Sequence, residues 1–147
     1  MALLPEAVVT ALEAFAAPDR RDDVQSLAHD ESGPSRERLA LLTESTDWVD
    51  MAAAHSVAPS LGDPEGIRRL LQAMGAEGRC AVLSAAGSED DRDLGGALDG
   101  VLHQTGGALV VCRPGPLAFL VTASGEHWLL SDRDVPQLTG PIPVVRP

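Results

Sequence analysis

Hydrophobic residues recur every three or four positions through the first third of the chain, which predicts a series of short helices. Pro18 follows the first of them, and Ser35 and Asp47 stand where N-caps of the third and fourth are expected. The apolar positions of these helices are Leu4, Val8, Ala11, Leu12 and Phe15 in the first, Val24 and Leu27 in the second, Leu39 and Leu42 in the third, and Trp48, Met51, Ala52 and His55 in the fourth.

The clearest helical pattern runs from residue 63 to residue 74. Asp63 is a natural N-cap, Pro64 suits the first helical position, and Glu65 complements the positive end of the helix dipole. Gly75 stands where a C-terminal glycine is expected. The apolar stripe consists of Ile67, Leu70, Leu71 and Met74.

Apolar runs separated by glycine and proline replace this pattern in the second half and predict strands. Residues 80–85 predict a buried strand, and Ser88 with Asp91 resembles a capping box that opens a helix. The core face of that helix is Leu94, Ala97, Leu98, Val101 and Leu102, with Gly106 and Gly107 after it. Three more predicted strands, residues 108–113, 117–122 and 127–131, are separated by turns at 114–116 and 124–125.

Together these elements predict an α+β fold, with N-terminal helices packed on a small, mostly antiparallel sheet or forming a helical subdomain beside it. At 147 residues, one domain over residues 1–147 is expected. It divides into a mainly helical part (1–78), a strand-helix-meander part (79–134) and a proline-rich tail (135–147).

The charge and residue composition of the chain exclude several classes of function. Eleven arginines face twenty-two acidic residues, giving a net charge of −11, so phosphate backbones are repelled and nucleic-acid binding is not expected. The chain has no lysine and no tyrosine, which excludes a Schiff-base lysine and a Walker-type lysine. The scarcity of residues with AT-rich codons indicates a GC-rich genome.

The chain also lacks the features of secreted and membrane proteins. The N-terminus has no basic region and carries Glu6 and Glu13, unlike a signal peptide, and no apolar run reaches the length of a membrane span. Two cysteines fit reduced thiols. A cytoplasmic protein that binds no membrane is expected.

The acidic and glycine-rich stretch over residues 87–96 does not match known ligand motifs. Its carboxylates would repel a phosphate, and in an EF-hand beginning at Asp91 the fifth and twelfth positions would be Gly95 and Leu102. The four histidines, at 29, 55, 103 and 127, show no zinc-ligand spacing. No cofactor and no metal are therefore expected. Gly95, Gly96 and Gly100 are expected to allow close approach to the sheet or, less favoured, to another chain.

One enzymatic alternative remains open. Cysteine hydrolases need a thiolate, a histidine base and an orienting side chain, and Cys80 or Cys112 with His127 and Asp132 or Asp134 are the candidates. The segment around His127, Gly-Glu-His-Trp-Leu-Leu, resembles the strand start that carries the histidine in papain-like enzymes. The resemblance implies a small or degenerate hydrolase. It departs from the papain-like pattern because both cysteines lie in predicted strands rather than at a helix start.

The hypothesis favoured by the sequence is a non-catalytic protein-binding or regulatory module of adaptor, chaperone-like or immunity/inhibitor type. Its acidic surface would attract a basic partner protein, and a second copy of the chain is the alternative partner. A structural or ligand-sensing domain of a larger assembly is a further alternative. The candidate contacts are the edge of the meander, the glycine-rich helix, and the side chains of Glu89, Asp90, Asp91, Asp93 and Trp128.

Overall fold

A six-stranded antiparallel sheet runs through the middle of the molecule. The computed structural model describes residues 6–30, 33–57, 64–84, 87–103, 106–112 and 117–131. The neighbour order is first, sixth, fifth, fourth, second, third strand, and all pairs are antiparallel. The strands are β1 (Ala54–Ser56), β2 (Arg79–Ser84), β3 (Gly87–Asp93), β4 (Ala108–Cys112), β5 (Leu117–Val121) and β6 (His127–Ser131).

Helices cover both faces of this sheet. Helices α1 (Glu6–Phe15), α2 (Arg21–His29) and α3 (Gly33–Leu42) lie on one face, and α4 (Pro64–Ala73) and α5 (Leu94–His103) lie on the other. Successive strand residues point to opposite faces, and both faces are buried here. This arrangement explains the continuous apolar runs of the central strands. The predicted α+β class, with N-terminal helices packed on an antiparallel sheet, is confirmed.

Alternate positions of β4 show how the two cores share one strand. Val110 and Cys112 pack against α4 and α5, whereas Leu109 and Val111 pack against α1 to α3. All five residues of β4 are buried, and the same holds for β5. The N-terminal helices therefore pack on the sheet as a layer rather than lie beside it.

Of the predicted helix-end signals, those at Pro64 and Gly75 are confirmed, whereas the N-caps predicted at Ser35 and Asp47 are wrong. Helix α4 begins at Pro64, and after it Gly75 adopts a φ of 106° while Ala76 N–H donates to the Leu71 carbonyl at 3.0 Å. Such a left-handed residue is the usual C-terminal signal. Ser35 is not an N-cap, because α3 begins two residues earlier and Ser35 lies inside it. Asp63 lies outside the described residues.

The fourth predicted helix, over residues 47–55, is wrong. The segment instead forms a bridge between Val49 and Ala16, a 3-10 turn at Met51–Ala53 and strand β1. Trp48 is fully buried in the core of the α1–α3 layer, and its indole N–H donates to the Leu42 carbonyl at 2.8 Å. Non-local pairing and this tryptophan outweigh the local helical periodicity.

Strand β3 replaces the start that was predicted for α5 at Ser88. Residues 87–93 pair antiparallel with β2, and α5 begins only at Leu94. The N-cap is Asp93, whose Oδ2 accepts a hydrogen bond from Gly96 N–H at 2.8 Å. Ser88 lies within β3, opposite Leu83. The predicted capping box is therefore wrong, although the core face of the helix through Val101 is confirmed.

Replacing the true cap should weaken α5 selectively. Asp93→Ala is expected to lower the free energy of unfolding by about 1 kcal/mol, because it leaves an N-terminal amide without its side-chain acceptor. Ser88→Ala should change it by less than about 0.5 kcal/mol, as is usual for a surface site. Urea unfolding followed by circular dichroism measures both. An equal loss in the two variants would contradict the assignment of the cap.

The glycines of α5 do not serve close packing on the sheet, contrary to expectation. Gly96 and Gly100 are exposed, and a Cβ at Gly100 would have no described atom within 4 Å. A Cβ at Gly95 would meet the side chains of Arg68 and Asp93, at 3.4 and 3.5 Å. Gly96 and Gly100 therefore lie on the outward side of α5, and Gly95 lies next to α4.

A different glycine makes the close approach. A Cβ built on Gly107, just before β4, would lie 2.0 Å from the carbonyl oxygen of Thr43 and 2.8 Å from Cα of Glu44. The backbone of Thr43 and Glu44, just after α3, is also held from the β5–β6 turn, because the Glu44 carbonyl accepts a hydrogen bond from Ala123 N–H at 3.1 Å. The segment after α3 is thus fixed against one end of the sheet.

Candidate functional site

Strand β3 is one edge of the sheet and carries most of the predicted contact residues. Only its β2 side is paired among the described residues. Glu89, Asp90 and Asp91 are exposed along it, and Asp93 ends it. A strand of this composition has little propensity to form alone, so its extended state comes from pairing with the apolar strand β2.

A bulge interrupts the β2–β3 ladder at the acidic residues. Cys80 pairs with Arg92 and Val82 with Glu89, so Asp90 and Asp91 together oppose the single residue between the two β2 positions. Asp91 has a φ of 55°, in the left-handed region. Asparagine and aspartate tolerate this conformation better than most residues do.

Arginine side chains hold the bulged edge in place. Arg79 Nε donates to Asp91 Oδ1 at 3.0 Å, and its terminal nitrogen also donates to the Asp91 carbonyl. These contacts and the nearby charges of Asp91 and Asp93 raise the pKa of Arg79. A terminal nitrogen of Arg92 donates to Glu89 Oε1. Hydrogen bonds from Arg79 and Arg92 therefore fix the carboxylates of Asp91 and Glu89, which remain exposed to solvent.

Helix α5 follows β3 directly in the chain and has further exposed residues on its outward face. Gly96, Asp99 and Gly100 are exposed on it, and His103 Nδ1 lies 2.7 Å from the Asp99 carbonyl. We call the four carboxylates of β3, those of Glu89, Asp90, Asp91 and Asp93, the acidic edge.

Trp128 does not belong to the acidic edge. It lies on β6, opposite Leu120 and Ser56, and the strand order puts it about 19 Å from β3 at about 4.8 Å per strand interval. The side chain is half-buried against the α1–α3 core, and its indole N–H donates to Glu126 Oε1 at 3.4 Å. The predicted edge of the meander is also not free, because β1 covers β6.

The candidate hydrolase residues are not brought together by the sheet. Cys112 is opposite Leu117, whereas His127 is opposite Val121 at the other end of β5. The two residues are four positions apart along the strands, at a rise of about 3.3 Å per residue, and two strands apart, at about 4.8 Å per interval. Together these offsets separate Cys112 from His127 by about 16 Å. Cys80 lies one strand farther away, and Asp132 and Asp134 lie outside the described residues.

The chemical states of these groups also differ from those of a catalytic pair. Burial raises the pKa of the Cys112 thiol, the opposite of what a nucleophilic thiolate needs. Burial lowers the pKa of His127, whereas a carboxylate hydrogen-bonded to the ring would raise it. The imidazole packs edge-on against Phe119, with ring centroids 5.5 Å apart.

A groove of about 260 Å³ beside His127 was not expected from the sequence. It lies between the end of α5 and the β5–β6 turn, where Thr122 Oγ1 and Ser124 Oγ are 3.0 Å apart. Thr122 Oγ1 also accepts from Glu126 N–H at 3.1 Å, so this hydroxyl stabilises the turn. The tertiary packing of α5 on the hairpin creates the groove, and no local motif signals it.

No protein-family model, curated protein or solved structure matches this chain. In the part of the chain that the structure describes, no helix has the length and apolar character needed to cross a membrane. Among the same residues, no three side chains of histidine, cysteine, aspartate or glutamate are grouped so that they could hold a metal ion.

Proposed function

We propose that this chain is a non-catalytic protein-binding module of adaptor, chaperone-like or immunity/inhibitor type, which acts in the cytoplasm and uses the acidic edge to contact a basic partner protein. The observation that carries the proposal is strand β3, an exposed edge on which four carboxylates are held by hydrogen bonds within the chain. Preorganised charges of one sign steer association and set specificity.

The geometry of β3 favours contact through side chains over the addition of a partner strand. A bulge interrupts the regular spacing of backbone donors and acceptors, and charged side chains on an edge disfavour pairing with another strand. The same features disfavour a dimer formed by two β3 edges, since it would bring like charges together. A basic surface of a different protein satisfies both conditions.

Each carboxylate of the acidic edge keeps acceptor capacity for a partner. An ionised carboxylate offers about four acceptor positions, and the side chains of Glu89 and Asp91 are 59% and 75% exposed. Arginine or lysine from a partner could therefore bind without breaking the contacts to Arg79 and Arg92. Exposed pairs of this kind are screened by salt.

Charge reversal tests the proposal. Full-length protein is immobilised and used to capture partners from native lysate, and the affinity for the captured protein is then measured with the double variant Glu89→Arg, Asp90→Arg. Binding should weaken by at least about tenfold, because two attractive charges become repulsive. Raising the salt from about 0.1 M to about 1 M, which shortens the Debye length from about 10 Å to about 3 Å, should have a similar effect.

The matched control is Asp22→Arg, Asp23→Arg on the exposed side of α2, which changes the net charge by the same amount. This variant should bind about as well as the unchanged protein. Equal weakening in both double variants would show that net charge alone matters and would contradict the acidic edge as the contact. A monomer that captures nothing at low salt would contradict the proposal as a whole.

A further inference from the structure

The only two cysteines of the chain face each other across the sheet. Cys80 on β2 is directly opposite Cys112 on β4, and both side chains point into the core beneath α4 and α5. Opposed residues of an antiparallel pair have Cα atoms about 4.5 or about 5.5 Å apart, depending on their place in the ladder. Both separations lie within the roughly 4.4–6.8 Å found in disulfides.

We propose that Cys80 and Cys112 are a redox modification site, which closes into an intramolecular cross-strand disulfide with a low-molecular-weight disulfide as the oxidant. One thiolate attacks the oxidant and forms a mixed disulfide, releasing the first small thiol. The second cysteine then attacks the protein sulfur of that mixed disulfide, forming the Cys80–Cys112 bond and releasing the second small thiol. The two protons and two electrons of the cysteines pass to the two released thiols.

The position of the pair in the ladder gives the oxidant a route. Cys80 is the second residue of β2 and Cys112 the last of β4, so the pair lies at the end of the β2–β4 ladder. Ladder ends open more readily than ladder centres. In the closed fold both thiols are almost fully buried, and burial raises the pKa of Cys112. Oxidation should therefore proceed through the locally opened state and be slow in the native protein.

The consequence of the disulfide is a covalent link that encloses β3 and α5. The closed loop runs from Cys80 to Cys112 and contains the whole acidic edge. A crosslink across a loop of this length restricts the unfolded chain, and the melting temperature should rise by on the order of 10 °C. The inference does not depend on the proposed protein contact, because it rests on the register of β2 and β4 alone.

The test uses full-length protein with oxidised glutathione at mildly alkaline pH, followed by alkylation under denaturing conditions and intact-mass measurement. We expect a monomer that has lost two hydrogens, accepts no alkyl group and yields Cys80 and Cys112 in one crosslinked peptide. Dithiothreitol should restore both thiols and the original melting temperature. A low concentration of urea should accelerate the reaction, since it favours local opening.

Three results would overturn the proposal: glutathione retained on both cysteines without an internal bond, crosslinks only between molecules, or an oxidised monomer that melts below the reduced one. Cys80→Ala and Cys112→Ala provide the controls, because each should stop at a single glutathione adduct and show no gain in melting temperature. The measurements on the unchanged protein decide the matter even where a variant folds poorly.

Discussion

Gly107→Ala is expected to lower the free energy of unfolding by about 3 kcal/mol or more, the range of severe overpacking. The added methyl group would lie 2.0 Å from the carbonyl oxygen of Thr43 and 2.4 Å from its carbonyl carbon. These are backbone atoms of a buried residue, and the segment cannot move aside freely because Ala123 N–H holds the next carbonyl. Urea unfolding monitored by circular dichroism measures the loss.

Gly100→Ala is the matched control for this substitution. Gly100 lies on the exposed side of α5 with no described atom within 4 Å of the position of a Cβ. Alanine there should raise the free energy of unfolding by about 0.5–1 kcal/mol, since it restores helix propensity without a steric conflict. A loss of less than about 1 kcal/mol at Gly107 would contradict the close approach of the Thr43 segment.

Trp48→Ala should lower the free energy of unfolding by a similar amount, about 3–5 kcal/mol. The side chain is fully buried in the α1–α3 core, and the residue connects three parts of the fold. Its indole N–H donates to the Leu42 carbonyl at 2.8 Å, and its own carbonyl accepts from Ala17 N–H at 2.7 Å. Removing the ring leaves a cavity and takes from the Leu42 carbonyl its shorter hydrogen bond, leaving only the one from Ser45 N–H at 3.3 Å.

The chain's second tryptophan supplies a control with the same chemistry. Trp48→Phe should still cost about 1–3 kcal/mol, since it loses the hydrogen bond and part of the packing. Trp128→Phe should cost less than about 1 kcal/mol, because that side chain is only half-buried. Urea unfolding followed by circular dichroism compares the two, and a larger loss at Trp128 would contradict the placement of Trp48 in the core.

The parts of the fold that local pattern determines were predictable. Residues 80–85 predicted a strand and β2 spans Arg79–Ser84, because an apolar run bounded by turns fits a strand with both faces covered. Helix α4 begins at Pro64 for the reason its sequence suggested, since proline lacks the amide that the first helical position leaves unused. In these segments the local preference and the tertiary packing agree.

The missed elements are those whose state depends on distant residues. The sequence Gly-Ser-Glu-Asp-Asp-Arg-Asp has no apolar alternation, and it is a strand only because β2 offers unpaired backbone groups beside it. Strand β1 is three residues long and exists through pairing with β6. Neither a capping pattern at Ser88 nor a helical period through Trp48 contains information about these partners.

The candidate site shows the same division. The sequence identifies the acidic residues but predicts that they begin a helix. In the structure they lie on strand β3 at the edge of the sheet. The opposition of Cys80 and Cys112 could not be inferred, because a shift of one residue in register would point one thiol to the other face. The distance from these cysteines to His127 likewise depends on strand order, which no single segment encodes.

The pairing of β1 with β6 has a consequence for the order of events during synthesis. Ala54 pairs with Leu130, so β1 leaves the ribosome well before β6, which is its one partner strand among the described residues. Helices α1 to α3 can form meanwhile, but the sheet surface on which they pack is not yet made. A chain truncated before β6 should therefore expose apolar helix faces and depend on chaperones, as nascent chains dominated by long-range contacts do.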